Sequence, residues 1–115
     1  MAPGLRGRKL RLGIAPQLDE TDFPVLRQLV SQKQTSQIVG LRVKDDPALL
    51  VQSGGLDALL RTSDEACAGL HIDRVMVRSE ERSRRAVLVT RPGIAGCRQH
   101  KTLVMLLARA ARADH

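Results

Sequence analysis

The chain contains no tryptophan and no tyrosine, and its single phenylalanine is Phe23. Proteins that grip single-stranded nucleic acid stack bases on aromatic side chains, and that platform is missing here. Any core must be aliphatic, filled by Leu, Val, Ile and Ala. Cysteine is nearly as scarce: Cys67 and Cys97 have neither metal-ligand spacing nor the number needed for a disulfide framework. That usage fits a reducing, cytoplasmic setting. No uninterrupted apolar run approaches the roughly 20 residues needed to span a bilayer. The opening MAPGLRGRKL is basic but has no apolar signal core behind it.

Several chemical signatures are missing too. The corner after the first strand pattern reads GIAPQLDE, without the G-x-G-x-x-G of dinucleotide binders, and no P-loop occurs. None of the serines sits in a G-x-S-x-G elbow. His71, His100 and His115 fall on different elements with no i, i+4 pair, so the spacing predicts no metal site. Asp19, Glu20 and Asp22 could be an acidic cluster, but carboxylates also favour a helix N-terminus, each by about 0.3–1 kcal/mol. The expectation is a non-enzyme without cofactor.

What is present is the patterning of one domain. At 115 residues the chain can bury roughly two thirds of its unfolded surface. The hydrophobic fraction of 43% argues against disorder. Leu10, Leu12 and Ile14 alternate with Arg11 and Gly13, predicting a strand over about 9–15. A helix follows over about 22–32, with Asp22 as cap and Pro24 in the first turn. Further strands are expected over 38–43, 56–61, 71–77 and 85–90. A short helix, PALLVQS, stops at Gly54 and Gly55, and a longer one spans about 99–113. RSEERSRR reads as a hairpin-like turn or exposed extension. The order β-α-β-α-β-β-β-α predicts an α/β fold, three-layer-like: an open, mostly parallel sheet with helices on its faces. Residues 1–8 read as a flexible lead-in and 9–115 as the folded lobe.

Loops after the first three strands should share one edge of such a sheet, where open α/β folds bind ligands. They hold Pro16, Gln17 and Leu18, then Lys44 to Asp46, then Arg61, Thr62 and Ser63. The formal charge of +7 is spread over the N-terminus, the 78–85 stretch and the last helix. It favours anionic contacts without specifying nucleic acid.

Residues 10 to about 93 resemble the first half of the effector-binding domain of LysR-type transcriptional regulators. The opening LRLGIAPQLDETDFPVLRQLV is similar to that family's strand, polar loop and helix; SGGLDALLR is similar to its G-[ED]-L-D marker through Gly54, Leu56 and Asp57. AGLHIDRVMVRSEERSRRAVLVTRPGIAG resembles its pair of strands ending in a proline-containing hinge. The resemblance implies a periplasmic-binding-protein-like lobe, without the family's winged helix-turn-helix or second lobe. By position, effector contacts would fall at Pro16, Gln17 and Leu18, near Asp45 and Asp46, and at Thr62 with Ser63 beside it. Arg61 and Arg91 are candidate anion partners if they point inward. Family effectors are often small carboxylates. The family also dimerises through its first helix, so a homodimer through the first or terminal helix is expected, with Val25 and Leu29 as an outer apolar stripe. Operator binding is not expected without a helix-turn-helix. The alternatives from other classes are a ligand-free structural or interaction domain, such as a truncated remnant, and a small basic nucleic-acid binder.

Overall fold

The structure, a computed structural model, describes residues 5, 7–18, 25–30, 37–44, 48–63, 68–78 and 83–112. Among these, β1 (Leu10–Ile14), α1 (Val25–Val30), β2 (Ile38–Arg42) and α2 (Ala48–Gln52) alternate. Then come β3 (Ala58–Arg61), β4 (His71–Arg78), β5 (Ser83–Thr90) and α3 (Arg98–Arg112). The strands form one sheet in the order β2-β1-β3-β5-β4. β1 lies parallel to β2, with Leu10 opposite Ile38, and parallel to β3, with Leu12 opposite Ala58. β5 runs antiparallel to both β3 and β4. Four strands therefore point one way and β5 alone is reversed, giving a mixed sheet in a single α/β lobe.

The period of two in each strand divides the core. Leu10, Leu12 and Ile14 face the same side as Ile38, Ala58, Leu60, Ala86 and Leu88, and they pack with Leu26 and Leu29 of α1 and Leu103 and Leu107 of α3. The opposite face carries Leu59, Val87 and Val89 against Val51 of α2. Fully burying each such Leu or Val stabilises the fold by about 1.5–3 kcal/mol relative to exposure, so the aliphatic core suffices without aromatic residues. Gly13 points to the α2 face, where an added Cβ would lie 2.6 Å from Leu56 Cδ1 and 3.1 Å from Leu59 Cδ1. The small residue leaves room for those two leucines.

Two expectations change, and of the two forms expected for the 78–85 stretch the hairpin is the one found. Leu29 is 1% exposed and belongs to the core, so it is not part of an outer stripe on α1; its i, i+3 spacing with Leu26 puts both on the sheet. The segment before β1 is anchored from Leu5 onward. Leu5 is buried in the core, and Gln99 of α3 donates to the Arg8 carbonyl at 3.2 Å. The 78–85 stretch joins a hairpin whose strands pair out to Arg78 opposite Ser83. The expected cap and first turn of α1, Asp22 and Pro24, lie outside the described residues. No helix among those described is long and apolar enough to cross a membrane.

Candidate functional site

The strand order fixes where a ligand edge can form. β1 is flanked by β2 on one side and β3 on the other, while α1 and α2 cover opposite faces. The connections leaving β1 and β3 therefore diverge, and the carboxyl ends of these strands mark a topological switch point.

At this edge the Ala15 N–H still donates to Leu60 O at 2.9 Å, and the Leu18 N–H closes a turn onto Ala15 O at 3.1 Å. Pro16 and Gln17 stand exposed at the tip of that turn, whereas Leu18 is buried at 3% exposure and serves the core. Arg42, at the end of β2, donates from Nη1 to the carbonyls of Leu18 and, at 3.4 Å, Ala15. A cation is thus tied to the loop backbone. Beyond it Lys44 is exposed. Asp45 and Asp46 lie outside the described residues. On the β3 side Thr62 is exposed and Ser63 half-buried. Arg61 is buried at 6% exposure and faces the α2 side of the sheet, opposite Val87. Pro16, Gln17 and Thr62 are the expected contacts that, among the described residues, the fold presents to solvent on adjoining strand ends.

Arg91 goes elsewhere. It follows β5, which is reversed, and so lies at the opposite edge, where its Nη2 donates to Asp57 Oδ1 at 3.0 Å and its Nη1 to Leu56 O at 3.3 Å. Asp57 is wholly buried and gathers charge from two distant segments, the start of β1 and the turn after β5. Arg8 clasps both its oxygens, at 2.6 and 2.8 Å. The Arg11 N–H donates at 2.8 Å, and Arg11 Nε lies 3.5 Å away. Burial is the largest single influence on this carboxyl and acts to raise its pKa. The Arg8 hydrogen bond, followed by the backbone and side chain of Arg11, together overcome it and hold the group at about 2, below its ordinary 3.8.

A second polar cluster at that edge was not foreseen. The i, i+2 spacing of His71 and Asp73 places both on the face of β4 that meets α3, where His100 reaches them. Asp73 Oδ2 lies 2.8 Å from His100 Nε2 and 3.3 Å from His71 Nε2, and the two rings meet edge to face with centroids 5.3 Å apart. The Gly96 N–H donates to His100 Nδ1 at 2.8 Å. In the neutral ring the proton therefore sits on Nε2 and points at Asp73. The H-x-D strand pattern was a readable signal; the histidine 29 positions further along was not. Of the cysteines, Cys97 is a free, half-buried thiol, and Cys67 lies outside the described residues.

No protein-family model and no curated protein matches the chain. Among solved structures, it is similar to a cysteine-to-serine mutant of Corynebacterium glutamicum OxyR with hydrogen peroxide bound. The TM-score is 0.63 and the identity 10%, covering 92% of this chain and 68% of that one. OxyR is a LysR-type regulator. At 10% identity that likeness shows the fold, a single mixed α/β lobe.

Proposed function

We propose that this chain is an effector-binding-type lobe related to LysR-type regulators, and that it binds a small carboxylate-bearing molecule weakly at the edge formed by Gln17 and Thr62. One observation supports the reading: the β2-β1-β3 order puts a switch point at the carboxyl ends of β1 and β3, the strands whose following loops hold the contacts that the family resemblance implies. Arg42 and Lys44 beside it supply positive charge for an anion, while Pro16 shapes the turn. Leu18 acts from beneath by fixing the loop, and Ser63 completes the proposed rim; Asp45 and Asp46, the other expected contacts, lie outside the described residues. Arg91 is committed to Asp57 and is not part of it. The protein would work in the cytoplasm, without catalysis or cofactor, by passing ligand occupancy to a full-length regulator or a second copy of itself.

Thermal unfolding against a panel of small carboxylates, amino acids and aromatic acids tests this. A ligand at a hundred times its dissociation constant adds about 2.7 kcal/mol, enough to raise the midpoint by several degrees. The shift should vanish in Gln17→Ala and in Thr62→Ala. A shift that persists in both variants places the ligand elsewhere.

A second reading, a ligand-free interaction domain, has its own support. Leu49 is 72% exposed, with Leu50 and Leu41 also outward, and a helix with two leucines facing water is suited to a partner. No ligand shift together with a dimeric mass in solution would favour this reading.

A further inference from the structure

We propose that His71, Asp73 and His100 form a binding site for a divalent transition-metal ion of zinc-like preference, at the sheet edge opposite the proposed effector edge. The one carboxylate oxygen and two imidazole nitrogens already lie within 4.8 Å of one another. Ions of this class take two or more imidazoles with a carboxylate, and leave a position open, whereas magnesium and calcium require mainly oxygen. Around a tetrahedral ion with bonds near 2.1 Å, neighbouring ligand atoms stand about 3.4 Å apart. The His71–Asp73 distance of 3.3 Å meets this as it stands. The His100–Asp73 distance of 2.8 Å needs to open by about 0.6 Å.

A separate observation points to the same place. Thr90 is wholly buried, and its Oγ1 has no hydrogen-bond partner among the described residues. It stands directly across from His71 on β5 and so shares its face. Cβ atoms of such a pair are about 5 Å apart, within bridging distance of a water held by the ion. That water would satisfy the hydroxyl.

Binding has a structural consequence. When His100 Nε2 takes the ion, the neutral ring's single proton must move through solvent from Nε2 to Nδ1, where it opposes the Gly96 N–H. The Gly96 hydrogen bond must then break, so the ion acts on the turn that leads into α3. Gly96, at φ +86, can change its backbone setting more freely than another residue. Loading is therefore coupled to the seating of α3 on β4.

The test is a zinc titration of the full chain near pH 7.5, followed by calorimetry, by melting temperature and by the Gly96 amide in NMR spectra. The expected result is one equivalent bound, a melting point raised by roughly 5 °C at saturating excess, and displacement of the Gly96 amide. Affinity should fall at least tenfold in His71→Ala and in Asp73→Asn. His71 is 44% exposed at its side chain, so His71→Ala without zinc should melt close to the parent chain, separating lost binding from lost folding. Magnesium should reproduce none of it. No heat and no melting shift at millimolar zinc would overturn the proposal. So would equal affinity in both variants, which would assign binding to the thiols or other histidines, or an equal response to magnesium.

Discussion

The two edges of the sheet are built on opposite terms. At the edge where β1 and β3 begin, one buried carboxylate is held by three arginines from two segments of the chain, and His100 ties α3 to Asp73 of β4. At the edge where β1 and β3 end, polar side chains such as Gln17 and Thr62 stand in solvent. What fastens that edge is mostly backbone, with Arg42 bound to carbonyl oxygens. The contrast teaches a division of labour. Charge that has been taken out of water must be fully partnered and is committed to holding the fold; the side left free for recognition contributes little to stability.

Four outcomes would sharpen or break that contrast, taken from the largest effect down. Asp57→Asn keeps the shape but withdraws the charge from three guanidinium groups. It should cost about 3 kcal/mol in chemical denaturation, toward the lower end for a broken buried pair because Arg8 and Arg11 can turn to water. A loss under about 0.5 kcal/mol would mean that the cluster is not holding the edge.

Acid should reproduce much of that loss. Asp57 sits at about 2 when folded and near its ordinary 3.8 when unfolded. The unfolded chain thus takes up the proton first as pH falls. The stabilisation, about 2 kcal/mol, is fully present above roughly pH 4 and disappears as pH falls toward 2. The difference in stability between the parent chain and Asp57→Asn should narrow across that window; a constant difference would contradict the assignment.

Gly13→Ala tests the packing between the edges. Its Cβ would press on the ends of Leu56 and Leu59, flexible tips in a closed layer, and should cost about 1 kcal/mol. A stabilised variant would show that the layer has slack. Smallest of all, Gln17→Ala and Thr62→Ala should each move stability by less than about 0.5 kcal/mol while removing any ligand-induced melting shift. A large stability loss in either would place that side chain in the scaffold instead.

Much of the fold was legible because strands and helices announce themselves locally. The alternation through Leu10, Leu12 and Ile14 and the 103, 107 spacing of α3 each write their buried face into a short window. The sheet order was not legible in that way. That β5 inserts between β3 and β4 depends on Leu59 meeting Val89, a pairing across 30 positions that no local pattern encodes. The same distance in sequence hid the Asp57 cluster, whose arginines come from positions 8, 11 and 91. Arg91, read as facing a ligand, follows a reversed strand and so emerges at the other edge. On the candidate edge, Gln17 and Thr62 were readable as strand-end residues. Leu18 was not readable as core, because the turn closing on Ala15 is what buries it.

Recognition of the small-molecule effector is assigned to the free edge. Its most direct test is an NMR titration of the isotope-labelled chain with the carboxylate that shifts melting most, reading every backbone amide. The account predicts saturable changes centred on Gln17, Leu18, Thr62 and Ser63, with Asp57 and its neighbours undisturbed. Changes centred on Asp57, Arg11 and Arg91, with the strand-end amides silent, would contradict it.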